Sequence, residues 1–198
     1  MRARWLGYLK GLAMLRWLVI LIAALAFGAL SGVAAYQKVQ PQGGSVGDVH
    51  WREIAWPFPR DAWPAGRAFR CTSDACGAGI ELYVRPKIGF CNCDSGVADD
   101  DEVDRVADLD MISPNFVPLA PGQVIRVAEM SGRSRAYDLD MADGSRHAAI
   151  GIAVSHRCDL LVAVAQGKAD APELQDSALK FLASHEMTHW MMAALGGG

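Results

Sequence analysis

One long apolar run near the N-terminus differs from everything that follows it. Residues 17–35 carry no charged side chain. The basic residues that precede this run are Arg2, Arg4, Lys10 and Arg16. At about 1.5 Å per residue, such a run is long enough to cross the roughly 30 Å of hydrocarbon in a bilayer. The pattern predicts one transmembrane helix, with the N-terminus in the cytoplasm and the rest of the chain outside the inner membrane.

The end of the same run leaves a second interpretation open. Val33, Ala34 and Ala35 are small residues of the kind that a signal peptidase recognises after an apolar core. Cleavage there would release the domain into the periplasm. The basic leader and the apolar core are both long for a signal peptide, so we predict a retained anchor.

After the apolar run, the hydrophobic pattern changes to the alternation of half-buried strands. Ile80, Leu82 and Val84 alternate with polar or aromatic residues, and Pro86 is predicted to end this strand. An antiparallel meander is predicted further on, with strands at 124–130, 136–141, 148–155 and 160–165 and turns at 131–132, 143–144 and 157–159. In the third of these strands apolar residues alternate with glycine and alanine, which predicts a central strand with a helix lying close on its small side.

Two helices complete the predicted fold around this meander. A short acidic helix is expected after Asp99, because carboxylates are favoured at a helix N-terminus. Asp170 and Glu173 have the form of a capping box and begin a helix near residue 170. The apolar face of that helix consists of Leu174, Ala178, Phe181 and Leu182. We therefore predict an α+β fold: a transmembrane helix, then a mostly antiparallel sheet with a C-terminal helix packed on it.

The composition divides the chain into an anchor at 1–35, a linker and strap at 36–68, and a folded domain at 69–198. The strap is rich in proline and carries Trp51, Trp56, Phe58 and Trp63. Regular helix is excluded by this many prolines, and exposed tryptophans are costly, so an extended segment packed across the domain is expected. An aromatic cradle for a ligand is the alternative interpretation of the same residues.

Five cysteines in an exported domain predict a disulfide framework. They occur as two close pairs and one distant residue, namely Cys71 with Cys76, Cys91 with Cys93, and Cys158. Two bridges and one remaining thiol are expected, with pairing between the two clusters or with Cys158 taking one member. A structural zinc site on the paired cysteines is the alternative, although their spacing differs from that of common zinc knuckles. A C-x-x-C redox motif does not occur in the sequence.

The charges exclude some classes of partner. The net charge is −3 without a basic stripe, so nucleic acid is not expected as a partner. The acidic segment at 94–110 and the aspartates at 138–143 lack the spacing of a calcium loop. We interpret the first as a solvated helix face and Asp143-Gly144 as a turn.

Near the C-terminus, residues 184–190 contain the pattern H-E-x-x-H and resemble the active-site helix of zincin metalloproteases. Two histidines four residues apart, His185 and His189, lie on one helix face and can share a zinc ion, while Glu186 can take a proton from metal-bound water. Zincins draw a third ligand from downstream, and residues 190–198 contain no ligand-type side chain. A third ligand would have to come from upstream, from His147, His156 or the acidic helix.

A second resemblance covers most of the chain. The segment from Arg85 to Arg105, with Ala55–Phe58 before it and Gly132–Tyr137 after it, is similar to a group of uncharacterised exported proteins of alphaproteobacteria. This resemblance implies a bacterial periplasm and brings no known activity. We expect a non-catalytic accessory or binding module without a cofactor. The alternative is a zinc-dependent hydrolase that uses residues 185–189.

Overall fold

The computed structural model describes residues 50–59, 61–72, 76, 79–90 and 92–196. The strands of this part of the chain are β1 (Trp51–Ile54), β2 (Arg67–Cys71), β3 (Ile80–Lys87), β4 (Phe116–Pro118), β5 (Gln123–Val127), β6 (Met130–Asp140), β7 (Arg146–His156) and β8 (Asp159–Gly167). Its helices are α1 (Asp100–Val106), a short 3-10 helix (Leu109–Met111), α2 (Ala171–Leu182) and α3 (His185–Gly196).

Within the described residues, eight strands form one antiparallel sheet in the order β1, β2, β3, β8, β7, β6, β4, with β5 also paired to β6. β3 and β8 are neighbours although α1 and four strands separate them in the sequence. The C-terminal helices pack on this sheet. The predicted α+β class with a mostly antiparallel sheet and a helix packed on it is confirmed.

The two faces of the sheet carry different helices. One face, here called the α2/α3 face, buries apolar residues of β3, β7 and β8 beneath α2 and α3. The other, here called the α1 face, is covered by α1 and the 3-10 helix. Successive strand residues point to opposite faces of a sheet. Because helices cover both faces, the central strands β7 and β8 are buried on both sides and not on one side only.

The small side of β7 is indeed approached by a helix, but not by the one expected. A Cβ added at Gly151 would lie 3.1 Å from Cβ of Ala107, directly after α1, and 3.0 Å from the ring of Tyr137. α2 lies instead on the opposite side of β7, against Ile150 and Ile152. The acidic helix therefore takes the small-residue surface, because only glycine and alanine leave room for its close approach.

The turn that was predicted at Ser131-Gly132 is wrong. β5 and β6 are joined at Ala128 and Glu129, where Ala128 has a φ of 52°. Gly132 lies inside β6, and a Cβ there would be 2.7 Å from Cα of Val154 on β7. Gly132 thus serves close strand packing, whereas the predicted turn at Asp143-Gly144 is confirmed by the φ of 80° at Gly144.

Pro86 does not end β3, contrary to expectation. β2 pairs with β3 only as far as Val84, while pairing with β8 continues to Lys87. Beyond Val84, one side of β3 has no partner strand. Proline has no N–H group to donate, and it is tolerated here because no neighbouring strand on that side requires a hydrogen bond. The strand consequently continues far enough to place Arg85 and Lys87 on the α1 face.

The two C-terminal helices follow the predicted patterns. Asp170 caps α2 by accepting a hydrogen bond from the backbone of Glu173. The predicted apolar face of α2 is buried, and it comprises Leu174, Ala178, Phe181 and Leu182. On α3 the buried residues are Met187, Met191 and Leu195.

Two disulfides are present among the described residues. Cys71 pairs with Cys76, and Cys93 pairs with Cys158 across a Cα distance of 4.4 Å. The expected number of bridges is confirmed, and so is a bridge from Cys158 to the second cluster. Pairing between the two clusters is wrong, because the first cluster closes on itself. Cys91 lies outside the described residues.

The predicted membrane helix at 17–35 also lies outside the described residues. Among the residues that are described, no helix is long and apolar enough to span a bilayer. Disulfide bonds fit an exported domain, because such bonds persist in oxidising compartments.

Candidate ligand cleft under the strap

The connection between β1 and β2 forms the strap, which crosses the α1 face of the sheet. Trp56 and Phe58 pack edge to face on Tyr83 of β3, with ring centroids 6.2 Å and 4.8 Å from it. Trp63 packs in the same way on Phe90, at 5.1 Å. The predicted packing of the strap aromatics is therefore confirmed for these three residues.

Trp51 has a different role from the other strap aromatics. It belongs to β1, is buried on the α2/α3 face, and stacks on Phe181 of α2 with ring centroids 4.6 Å apart. The strands β1 and β2 thus enclose the strap at both ends. β1 and the first residues of β2 therefore lie inside the segment 36–68, which composition alone assigns to linker and strap.

The base of the strap is closed by a glycine. A Cβ added at Gly66 would contact the carbonyl oxygen of Val84, and it would lie 2.6 Å from the ring of Trp56 and 2.7 Å from Cβ of Arg85. Only the absence of a side chain allows the chain to pass this close to the indole. Gly66 therefore fixes the position of Trp56 above β3.

A cleft of about 210 Å³ lies beneath the strap. Its walls combine aromatic and proline rings with polar groups, and among the described residues its charged members are one cation and one carboxylate. The lining residues are Trp56, Pro59, Asp61, Trp63, Pro64, Ala65 and Arg85. A pocket with apolar aromatic walls and few polar groups is the usual form of a site for a small molecule.

The floor of the cleft is an ionic cluster. The Arg85 side chain is only 3% exposed, and its guanidinium donates to both carboxylate oxygens of Asp108, from Nε at 2.5 Å and from Nη2 at 2.7 Å. Lys87 Nζ donates to the same carboxylate at 2.8 Å and to the carbonyl oxygen of Val106 at 2.7 Å. Asp108 therefore serves two buried cations at once.

Asp61 supplies the second negative charge from the strap. Arg85 Nη1 donates to its carboxylate at 2.7 Å, and the Asp61 side chain is 36% exposed. This hydrogen bond from Arg85 is the main reason that the pKa of Asp61 lies below its ordinary value. Burial disfavours the charged form of Arg85, but its hydrogen bonds to Asp108 and Asp61 outweigh this and raise its pKa.

A second hydrogen-bond chain runs from Tyr83, beneath the strap, along the sheet and centres on the carboxylate of Glu81. The Tyr83 hydroxyl donates to Glu81 Oε2, and the Gln166 amide donates to the same oxygen at 2.9 Å. Gln166 in turn contacts His147 Nδ1 at 2.7 Å. Burial, followed by the hydrogen bond to Glu81, raises the pKa of Tyr83, so the phenol stays protonated and continues to donate. His147 is thereby part of this chain on the α1 face.

Asp100 and Asp104 of the acidic helix are paired with residues of β6, which corrects the interpretation of this helix as a wholly solvated face. Asp100 accepts from Arg133 Nη2 at 2.6 Å, and Asp104 accepts from Arg135 at 2.6 Å and from the hydroxyl of Tyr137. The arginines on β6 lie within the segment 132–137, whose positive charges the sequence interpretation did not connect to the helix. These pairs fix α1 on the sheet.

The histidines of the H-E-x-x-H pattern lie on α3, and they do not join this cleft. His185, Glu186 and His189 are exposed, while the opposite side of the helix is buried. Glu186 interacts electrostatically with Arg67 of β2, whose guanidinium also binds Glu53 and lies 5.4 Å from the Trp190 ring.

No group of three or more ligand-type side chains that could hold a metal occurs among the described residues. His147 and the acidic helix, two of the suggested sources of a third ligand, lie on the α1 face of the sheet, whereas α3 lies on the other. The predicted site residues are therefore placed, but the described structure does not gather a ligand set around His185 and His189.

The sequence interpretation did not identify the Arg85, Lys87 and Asp108 cluster. A signal was available in β3, where the charged residues Glu81, Arg85 and Lys87 occupy alternate positions and therefore share one face of the strand. Their carboxylate partner lies 21 to 23 positions further along the chain. Only the packing of α1 on the sheet brings these side chains together.

Comparison with known proteins gives no assignment. No protein-family model and no curated sequence matches the chain. A crystal structure of PA94, a protein of unknown function from Pseudomonas aeruginosa, is similar with a TM-score of 0.41 and 14% identity over 63% of this chain and 85% of that one. A likeness this distant bears on neither the site nor the function.

Proposed function

We propose that this protein is a membrane-anchored periplasmic binding module, that it is not an enzyme, and that its ligand site is the cleft under the strap. The observation that carries the proposal is the combination of two half-buried tryptophans with a charge-balanced ionic cluster at the base of one cavity. The walls offer contact area, and the cluster offers a fixed polar group that can orient a ligand.

The anchor belongs to the same proposal. The uncharged run at 17–35 and its basic leader support retention in the inner membrane, and the disulfides support a domain outside the cytoplasm. A reporter that is active only outside the cytoplasm, fused after Gly198, is expected to be active in the membrane fraction. Recovery of a soluble form beginning at Tyr36 would instead establish cleavage.

The zinc-hydrolase alternative has less support than the binding module. Its helix is present and its histidines are accessible, but the residues that the structure describes provide no third ligand beside them. Zinc analysis of the purified protein, described in the Discussion, tests this choice directly.

The binding proposal is tested by ligand screening with full-length protein in detergent, labelled with 5-fluorotryptophan. Ligands of the cleft are expected to shift the fluorine signals of Trp56 and Trp63, which are assigned by replacing each with phenylalanine. Trp190 is the matched control, because it is also half-buried but belongs to α3 and packs on the α2/α3 face. Hits that shift Trp190 and leave both strap tryptophans unchanged would contradict the proposal.

A further inference from the structure

Resting on the proposed binding function, we infer that the cleft takes a small aromatic carboxylate, whose carboxylate group replaces Asp61 on Arg85. Asp61 then competes with the ligand for the hydrogen bond from Arg85 Nη1 and occupies that position when no ligand is bound. The inference depends on the charge balance of the cluster, on the different exposure of its two aspartates, and on the shape of the cleft.

The charge balance requires an anion at the position of Asp61. Arg85 and Lys87 bring two positive charges, and Asp108 neutralises one of them. Among the residues that the structure describes here, Asp61 balances the remaining charge. A buried cation without a partner is strongly unfavourable, so a neutral ligand that displaced Asp61 would lose more than it gained, whereas an anionic one preserves the balance.

The two aspartates differ in how easily they can be replaced. Asp108 is 14% exposed and is held by both cations, including a two-point contact with the Arg85 guanidinium. Asp61 is 36% exposed and belongs to the strap. It accepts one hydrogen bond from Arg85 Nη1 and another from the backbone N–H of Trp63 at 2.9 Å, so only one of its contacts is with the cluster. A ligand carboxylate at Nη1 therefore needs to displace only the weaker and more accessible partner, and it keeps a charge-assisted hydrogen bond in that position.

The cleft also limits the rest of the ligand. Its walls are the rings of Trp56, Trp63, Pro59 and Pro64. Flat aromatic groups pack well against indole faces. A cavity of roughly 150 Å³ holds a benzene molecule, so about 210 Å³ accommodates one aromatic ring together with a short carboxylate arm.

Three probes separate the contributions of ring and charge: 3-phenylpropionate, its neutral amide 3-phenylpropionamide, and acetate. We expect the acid to bind the full-length protein more tightly than either of the others. In Asp61→Asn, which removes the competing charge but keeps the size of the side chain, the affinity for the acid is expected to rise at least fivefold. The affinity for the amide is expected to stay within about twofold.

The matched control is Asp176→Asn, an exposed aspartate on α2 that pairs with Lys180. It is expected to leave all three affinities unchanged. Asp61→Ala serves as a second variant, and the melting temperature of each protein verifies that the fold is kept. Both changes keep the two-point contact between Arg85 and Asp108, and Asp61→Asn also keeps an oxygen that can accept from the backbone N–H of Trp63.

The inference is overturned if Asp61→Asn and Asp61→Ala bind the acid no better than the parent protein, or if the amide binds as tightly as the acid. If other ligands still shifted the signals of the strap tryptophans, such a result would leave the binding function in place. It would contradict only the replacement of Asp61 by a ligand carboxylate on Arg85. The binding function itself would be contradicted only if no ligand of any chemistry shifted the fluorine signals of Trp56 or Trp63.

Discussion

Arg85 and Asp108 face each other in a two-point contact beneath the strap, with Nε and Nη2 of the guanidinium on the two oxygens of one carboxylate. The pair joins the centre of β3 to the segment that follows α1. Because Lys87 binds the same carboxylate, this single aspartate is shared by Arg85 and Lys87, the most buried cations among the described residues.

Replacing Asp108 with asparagine is therefore expected to be strongly destabilising. It leaves two buried cations opposite one exposed aspartate, and breaking a buried pair from one side costs about 3–5 kcal/mol. Urea unfolding followed by tryptophan fluorescence measures the loss. Asp61→Asn provides the comparison, and equal losses in the two variants would contradict the distinction drawn between these aspartates.

Gly66→Ala is expected to disturb the strap and the cleft together. The added Cβ would lie 2.6 Å from the Trp56 ring and against the Val84 carbonyl, so the indole has to move. Overpacking of this kind costs about 1–3 kcal/mol. A fluorine signal of Trp56 that stays unchanged would show that the contact is not tight. Gly196→Ala is the control, because nothing lies within 4 Å of the position of its Cβ.

Asp100 is expected to contribute to the acid sensitivity of the domain. The backbone N–H of Gly122 and the guanidinium of Arg133 hold its pKa below the ordinary value. Between that lowered pKa and about pH 4 the unfolded chain binds more protons, so stability is complete above this window and falls as the pH falls through it. In Asp100→Asn the stability is expected to be lower above the window and to depend less on pH within it.

Urea midpoints measured from pH 6 down to pH 2 test this prediction. Asp101→Asn is the matched control, because Asp101 is exposed on the same turn of α1. A parallel pH dependence in the parent protein and in Asp100→Asn would show that the salt bridge on α1 adds nothing to acid stability.

The two disulfides are expected to differ in their contribution to stability. Cys93 and Cys158 are 65 residues apart, whereas Cys71 and Cys76 are 5 apart. In the chain-entropy description, the long loop contributes about 4 kcal/mol and the short loop about 2 kcal/mol. Double replacement of each pair by alanine, followed by urea unfolding, gives the comparison. A larger loss for the short loop would mean that local packing, rather than loop closure, sets the contribution.

The histidines of α3 are expected to be neither structural nor metal ligands. Both are exposed, so His185→Ala and His189→Ala are expected to change stability by no more than about 0.5 kcal/mol. Met191→Ala on the buried side of the same helix is expected to cost about 2–5 kcal/mol. Zinc content is measured on the same proteins. Stoichiometric zinc in the parent that disappears in either histidine variant would reverse the choice between binding module and hydrolase.

Local signals in the sequence were sufficient for the helices. The cap at Asp170 and the spacing of Leu174 and Phe181 define α2 without reference to the rest of the fold, and the structure agrees with both. The boundaries that failed depend on neighbours. Ser131-Gly132 is a residue pair typical of turns, but Gly132 lies inside β6, where the backbone of β7 is too close for a side chain.

The candidate site was only partly accessible to sequence analysis, for a related reason. The aromatic strap could be predicted, because tryptophan and proline are conspicuous and their packing needs no specific partner. The ionic cluster could not, because Arg85 and Asp108 pair only after α1 has settled on the small side of β7. Contacts of this kind are set by the tertiary arrangement and not by the spacing of residues along the chain.

The pairing of β3 with β8 also determines when this domain can become complete. β3 ends at Lys87, and the strand that covers its other edge begins only at Asp159. The chain leaves the ribosome or a translocation channel with its N-terminus first. Most of the domain must therefore be released before β3 can pair with β8. Distant pairings of this kind slow folding. The first three strands therefore keep one unpaired edge until β8 is available, and the last fifth of the chain sets the rate at which the protein reaches its native state.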